Sequence, residues 1–161
     1  MPGGEISIDD PRAEDVRKLL ERHLAFANSH SLPEDVHALD VDGLLDPAVM
    51  FVSFRRHGEL LGIGALKQLD GRHAELKCMH TARAARGRGI SRAVLSHLTG
   101  VARDRGYLRV SLETGSRPAF APARSLYASA GFTPCEPFGD YHPNRSSTCM
   151  TLSLTGPDSA A

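Results

Sequence analysis

The sequence predicts an α/β or α+β fold with a mixed, mostly antiparallel sheet, and three observations support this. Strand-like and helical stretches follow one another in the order strand, helices, three strands, helix, strand, helix and two further strands. The three consecutive strands are joined by short turns, which is typical of an antiparallel meander. The helix after them carries a regular apolar stripe, as expected for a helix packed on a sheet. We therefore expect about seven strands flanked by about four helices.

Length, composition and charge narrow the class of protein. The 161 residues suffice for one domain with a sizeable core, which we expect to span residues 1–155, with a loose tail at 156–161. Hydrophobic residues make up 41% of the chain and charged residues 24%, as in globular proteins. Because 19 basic residues balance 19 acidic ones, we expect no broad nucleic-acid surface, and any positive site must be local.

No pattern in the sequence predicts a membrane segment or a secretory signal. No apolar run is long enough to span a bilayer, and the first residues lack the basic and apolar regions of a signal peptide. The three cysteines, Cys78, Cys135 and Cys149, show no Cys-x-x-Cys spacing, which fits reduced thiols. Together with His80 and His142 they match no familiar zinc pattern. We expect a cytoplasmic protein that binds no membrane and no metal.

The N-terminal third predicts one strand and two helical segments. Residues 6–9 alternate in polarity and form a candidate first strand. An Asp-Asp-Pro start signal and apolar residues at helical spacing predict a helix over residues 11–27. Residues 28–33 interrupt this helix, residues 35–39 favour a second short helical segment, and a turn follows at 44–47.

Apolar runs and turn residues define the rest of the chain. Residues 49–54 and 60–69 are predicted to pair as a hairpin, and residues 74–81 extend it after a turn that contains Gly71. A helix begins at Ile90 and stops at Gly106. The remaining elements are a strand at 109–113, a helix at 122–130, a brief strand at 132–134 and a last strand at 148–154 that closes the sheet.

Residues 86–92, with the sequence Arg-Gly-Arg-Gly-Ile-Ser-Arg, are predicted to form an anion site. Two glycines let the backbone approach a ligand closely, and the unpaired amides of the next helix attract negative charge. The segment has no Lys-Ser/Thr pair of a P-loop and lacks the third glycine of a dinucleotide fingerprint. A phosphate or pyrophosphate pocket and an ordinary strand-to-helix turn remain the two interpretations.

Two motifs resemble the GNAT superfamily of acyl-CoA-dependent N-acyltransferases. Arg86-x-x-Gly89-x-Ser91 is similar to the central Arg/Gln-x-x-Gly-x-Gly/Ala motif of that family, with a small serine at the last position. The run Leu-Tyr-Ala-Ser-Ala-Gly-Phe at residues 126–132 looks like the family's Leu-Tyr-x-x-x-Gly-Phe. The resemblance covers roughly residues 60–154. Within the family, the chain looks most like a bacterial subgroup of acetyltransferases. It implies a single domain whose sheet is splayed open beside a pyrophosphate-binding helix N-terminus.

The resemblance also implies which residues bind the co-substrate acetyl-CoA. The coenzyme A pyrophosphate would lie on Arg86, Gly87, Arg88, Gly89, Ile90, Ser91 and Arg92. The thioester would lie on the backbone of Met79, His80 and Thr81, at the end of the fourth strand. Phe120 stands where many members of the family have an asparagine, so the contact made by that asparagine is not carried over.

The expected chemistry is attack of a neutral amine on a thioester carbonyl. Tyr127 matches the family's usual general acid for the leaving thiolate, or else packs its helix on the core. Glu75 and Glu113 are candidates for the base, and each has a salt-bridged or solvated role as the alternative. His80 is a less favoured candidate for the base, because its backbone role at the end of the fourth strand is preferred and its side chain could equally be packed or solvated. The loop of Asp140, Tyr141 and His142 either lines the acceptor pocket or is a polar surface turn.

The resulting hypothesis is an N-acetyltransferase that moves an acetyl group from acetyl-CoA to a small primary amine or amino acid derivative in a ternary complex. A protein N-terminus or lysine is a less favoured acceptor. The alternatives are a non-catalytic acyl-CoA-binding sensor and a nucleotide-binding protein. The sequence leaves the acceptor and the oligomeric state open, although an exposed last strand would allow a homodimer.

Overall fold

The structure, a computed structural model, describes residues 4–30 and 41–154. Its strands are β1 (Glu5–Ile8), β2 (Val49–Arg56), β3 (Glu59–Gln68), β4 (His73–Thr81), β5 (Arg109–Gly115), β6 (Thr133–Cys135) and β7 (Ser147–Ser153). Its helices are α1 (Glu14–His30), α2 (Val41–Leu44), α3 (Ile90–Asp104) and α4 (Ala121–Ser129). The predicted helical segment at 35–39 and the predicted tail lie outside the described residues.

The strands form one mixed sheet in the order β1-β2-β3-β4-β5-β7-β6. Only β4 and β5 pair in parallel, while every other neighbouring pair is antiparallel. The predicted fold class and the predicted meander of β2, β3 and β4 are thereby confirmed. Helix α1 begins later than expected, at Glu14, because the Asp10 carboxylate first holds a turn by accepting the Arg12 amide at 2.9 Å.

Each face of the sheet is covered by helices. Helix α3 packs on one face through its apolar stripe, which includes the fully buried Val94 and Leu98. Helix α1 packs on the other face, where Val16 and Leu20 meet the buried side chains of Phe51 and Ile63. The sheet is therefore the middle layer, and its strand ends open between the two helical layers.

Two glycines inside β3 allow α3 to approach the sheet closely. A Cβ atom on Gly64 would stand 2.6 Å from Val94 Cγ1, and one on Gly62 would stand 2.7 Å from Ile90 Cγ2. Both distances are too short for carbon atoms, so any larger residue would push α3 away. The glycines thus fix the position of the α3 N-terminus beside the end of β4.

The sheet splits between β4 and β5. These strands pair only from His73 to Leu76 and from Arg109 to Leu112. A β-bulge follows in β4, because Gly64 of β3 stands opposite both Cys78 and Met79, and Cys78 has a φ of 56°. Past this point β4 keeps its pairing with β3 while its other edge faces a gap, which is the expected splay.

The expectation of an exposed last strand is wrong. Strand β7 lies inside the sheet, because β5 pairs along one edge and β6 pairs with Cys149–Thr151 on the other. The edge strands among the described residues are β1 and β6. No helix in the described part of the chain is long and apolar enough to cross a membrane.

Candidate active site

A cavity of about 680 Å³ occupies the gap between β4 and β5. It is bounded by α1 on one side and by the N-terminal parts of α3 and α4 on the other. All the predicted catalytic and coenzyme-binding residues line this cavity except Arg88, which is exposed outside it. The fold therefore brings together residues from four separate segments of the chain.

One end of the cavity is formed by the glycine-rich segment. Gly87 and Gly89 both have a φ of 79°, a left-handed conformation that favours glycine. Gly89 is the N-cap of α3, and no side chain caps the helix there. The first amides of α3 are consequently available to a ligand, with Arg86 and Arg92 beside them. This geometry suits an anion.

Ser91 links this segment to the end of β4. Its hydroxyl hydrogen-bonds to that of Thr81, so the start of α3 is tied to the splayed strand. Both residues line the cavity. Ser91 thus has a structural partner besides any ligand.

Replacing Ser91 with glycine should lower stability and leave the anion site working. The Ser91→Gly protein loses the hydroxyl bond to Thr81 and gains backbone freedom in the first turn of α3, at a cost of about 1 kcal/mol each. We expect a lower urea midpoint and an acetyl-CoA Kd within about threefold of wild type, because the helix amides remain. A loss of binding above tenfold, measured by calorimetry, would instead give the serine hydroxyl a ligand contact.

Tyr127 lies buried in the wall of the cavity. Its ring packs on Phe132 of the same motif, with ring centroids 5.9 Å apart. Burial raises the pKa of Tyr127 above its usual value, so the hydroxyl stays protonated. The group is thus a proton donor facing a ligand space.

A buried ionic cluster forms the opposite end of the cavity. Lys77 Nζ donates to Glu75 Oε2 at 3.1 Å and to the Tyr141 hydroxyl at 2.9 Å, and that hydroxyl donates to Glu75 Oε2. The side chains of Lys77 and Glu75 are only 9% and 5% exposed. Burial and the Glu75 carboxylate raise the pKa of Tyr141 well above its usual value, which keeps its hydroxyl protonated.

Sequence reasoning missed Lys77. The signal was present, since Glu75 and Lys77 are opposite charges two residues apart in an otherwise apolar strand and so share one face. Of the predicted loop residues, Tyr141 reaches the cavity, whereas Asp140 and His142 are exposed and do not line it. Glu113 lies at the split and accepts a bond from Ser147 Oγ at 2.5 Å.

Removing the charge of Lys77 should destabilise the protein strongly. A Lys77→Met variant leaves the buried Glu75 carboxylate without its cation, which typically costs about 3–5 kcal/mol. The double variant Lys77→Met, Glu75→Gln removes both charges and should recover much of that loss. Urea unfolding measures both. A single variant within about 1 kcal/mol of wild type would show that water reaches the pair.

Two imidazoles also meet in the wall of the cavity. His23 of α1 and His80 of β4 bring their Nδ1 atoms to 3.2 Å, with ring centroids 5.1 Å apart and planes at 69°. Burial, with Lys77 nearby, lowers the pKa of His23 to about 4. Burial, with His23, Arg86 and Arg22 nearby, lowers the pKa of His80 to about 4. Both rings are therefore neutral at pH 7.

The sequence did not identify His23 as a site residue. It stands in the apolar stripe of α1, where an imidazole at a helix–sheet boundary suggests packing as readily as chemistry. Three residues further along the same helix, Phe26 packs on Phe120 with ring centroids 5.2 Å apart, and both rings line the cavity. In the described ranges no group of three or more His, Cys, Asp or Glu side chains is placed to hold a metal.

Comparison with known proteins identifies relatives over nearly the whole chain. The model of the acetyltransferase (GNAT) family matches residues 13–132. The uncharacterised N-acetyltransferase YsnE of Bacillus subtilis is 45% identical over 149 residues, which are 92% of this chain and 99% of that protein.

Solved structures share the fold. A Klebsiella pneumoniae protein described as an acyl-CoA N-acyltransferase superposes with a TM-score of 0.80 at 24% identity, over 94% of this chain and 97% of the other. A Bacillus subtilis acetyltransferase in complex with CoA superposes with a TM-score of 0.71 at 16% identity, over 94% and 99% of the two chains.

Proposed function

The chain belongs to the GNAT acetyltransferase family, and from that premise we propose that it moves an acetyl group from acetyl-CoA to a primary amine of a small molecule or amino acid derivative. Membership confirms the resemblance predicted from residues 86–91 and 126–132. The observation that carries the proposal is one cavity with an uncapped helix N-terminus at one end and a buried ionic cluster at the other. The first end suits a pyrophosphate and the second a polar acceptor.

In this proposal acetyl-CoA binds across the split in the sheet. The pyrophosphate accepts hydrogen bonds from the backbone of residues 87–92 and is neutralised by Arg86 and Arg92. The related Bacillus subtilis acetyltransferase of the same fold is in complex with CoA, which supports this choice of anion. The thioester lies beside Met79, His80 and Thr81, because that edge of β4 has lost its partner strand.

The chemical step is direct attack of the amine on the thioester carbonyl. Backbone amides on the open edge of β4 stabilise the oxyanion, and Tyr127 protonates the departing thiolate. The carboxylates of Glu75 and Glu113 face the same cavity and hold the acceptor's ammonium group before attack. No covalent enzyme intermediate is needed, because the amine attacks the thioester directly in a ternary complex.

The acceptor is a small amine rather than a protein segment. The side chains of Phe26, Phe120 and Tyr141 form aromatic walls of the cavity. These walls leave room for a compact amine with an apolar body, and the buried Glu75 and Lys77 side chains meet its polar groups.

An acetyl-transfer screen tests the proposal. Purified protein and acetyl-CoA are incubated with primary amines that include amino acids, amino acid amides, arylalkylamines and a lysine peptide, and released thiol is measured. We expect release that depends on the amine and favours small apolar amines. Tight acetyl-CoA binding without transfer to any amine would support a sensor, and competition by ATP or NAD would support a nucleotide site.

A further inference from the structure

The imidazoles of His23 and His80 form a pair that the chemistry above does not use. Their Nδ1 atoms lie 3.2 Å apart, within hydrogen-bond distance. Two neutral imidazoles can approach this closely through Nδ1 only if one carries its proton there and the other accepts it. One ring then has a free lone pair on Nε2, and the other carries its N–H on Nε2.

Both rings line the same cavity as the expected thioester and acceptor positions. His80 lies on the open edge of β4, one residue from Met79, and His23 faces it from α1. The pair therefore connects the strand that holds the reacting carbonyl with the helix that closes the acceptor end.

The carboxylates at the acceptor end are already engaged. Glu75 Oε2 accepts bonds from both Lys77 and Tyr141, and Glu113 Oε2 accepts one from Ser147. A proton taken by Glu75 would leave Lys77 as an unpaired buried cation, at a cost of several kcal/mol. The imidazole pair has a lone pair that none of these bonds consumes.

We propose that His23 and His80 act as a two-imidazole relay that carries the proton of the acceptor's ammonium group to water. This inference rests on the proposed acetyl transfer and adds the route by which the amine becomes neutral. The carboxylates then hold the ammonium, and the relay removes its proton.

The relay conserves both atoms and charge. The ring whose Nδ1–H donates takes the ammonium proton on its free Nε2 and becomes an imidazolium. Its Nδ1 proton crosses to the partner's Nδ1, and the partner releases its Nε2 proton to water. The amine is left neutral, both rings are neutral, and their tautomers are exchanged. The reverse shift with water restores the starting tautomers.

The charges around the pair prevent the proton from being retained. Burial disfavours a cation on either ring, and the positive charges of Lys77 near His23 and of Arg86 and Arg22 near His80 add to this effect. A ring that gains a proton therefore passes it on and does not store it. Such a site therefore suits a relay, which passes the proton on, better than a single base that keeps the proton.

Asparagine variants distinguish a proton relay from a purely structural contact between helix α1 and strand β4. The amide of His23→Asn or His80→Asn can keep a hydrogen bond near the Nδ1 position but cannot titrate. His97→Asn, on the exposed face of α3, is the matched control. Phenylethylamine and phenylalanine amide serve as acceptors, because an alkylammonium has a pKa of about 10.4 and an α-ammonium of about 8.

The expected result is a loss that depends on pH and on the amine. At pH 7 each asparagine variant should lose about 100-fold in kcat with phenylethylamine and clearly less with phenylalanine amide. The deficit should shrink towards pH 10, where about 30% of the phenylethylamine is already neutral, while the acetyl-CoA Kd and the control stay at wild-type values. An equal loss at every pH and for both amines overturns the relay and shows that the pair has only a structural role.

Nitrogen NMR of the imidazoles separates failure of the relay from failure of the proposed function. A shared Nδ1 proton and two rings that stay neutral down to about pH 5 support the pair even if neither amine is acetylated. In that case the inactive wild-type protein contradicts acetyl transfer itself. Two rings that titrate independently near pH 6.5 overturn the relay whatever the activity.

Discussion

A Gly89→Asp protein is expected to fold normally and to lose at least 100-fold in affinity for acetyl-CoA. Gly89 caps α3 with a φ of 79°, and a Cβ there meets nothing within 4 Å. Aspartate adopts this left-handed conformation more readily than most residues, at a cost of about 1–2 kcal/mol, so the helix should still form. Its carboxylate, however, would stand near the pyrophosphate, where each like-charge contact costs about 3 kcal/mol at an effective dielectric of about 20.

Gly89→Asn is the matched control because asparagine has the same shape and the same tolerance of left-handed backbone, without the charge. It should keep affinity within about tenfold of wild type, and calorimetric titration with acetyl-CoA measures both variants. Equal affinities for Gly89→Asp and Gly89→Asn would mean that no phosphate lies at this helix end, and the cofactor pocket would have to be moved elsewhere.

A Tyr127→Phe protein is expected to bind acetyl-CoA as wild type does and to lose about 100-fold or more in kcat. Phenylalanine keeps the packing on Phe132 and removes only the hydroxyl that lines the cavity. General acids typically contribute factors of about 100 to 10,000. Thiol release under saturating substrates measures the loss, and thermal unfolding should show an unchanged midpoint.

The raised pKa of Tyr127 sets a pH signature for the same residue. Burial disfavours the phenolate in the folded state, so the hydroxyl stays protonated throughout the neutral range and wild-type kcat should show no loss from this group below about pH 10. Above that pH the unfolded chain ionises and folding stability falls. Full activity of Tyr127→Phe would reduce the tyrosine to a packing residue and leave the thiolate to depart unprotonated.

Local patterns predicted most elements because each carries its own periodicity or stop signal. Helix α3 begins at Ile90 as its stripe indicates, and Gly106 follows its end. The position of β7 was not predictable in this way. It depends on the three-residue strand β6 pairing along its outer edge, a long-range choice that no local pattern encodes.

For the same reason, only part of the candidate site could be predicted from the sequence. The anion-binding segment is contiguous in sequence, so its residues were identified without the fold. Lys77 and His23 became visible only when β4, α1 and the loop of Tyr141 were brought together, across 64 residues from Lys77 to Tyr141 and 57 from His23 to His80. Their chemistry lies in these contacts, whereas each residue alone matches an ordinary strand or helix position.

The most direct test of the proposed acetyl transfer follows the acetyl carbon. Acetyl-CoA labelled at its carbonyl carbon is mixed with the protein and the best small amine, and carbon NMR follows the label while released thiol is counted. We expect the label to move from thioester to amide with one thiol released per amide, and we expect Gly89→Asp and Tyr127→Phe to slow this transfer. A label that stays on the thioester, or appears only as acetate, would contradict it.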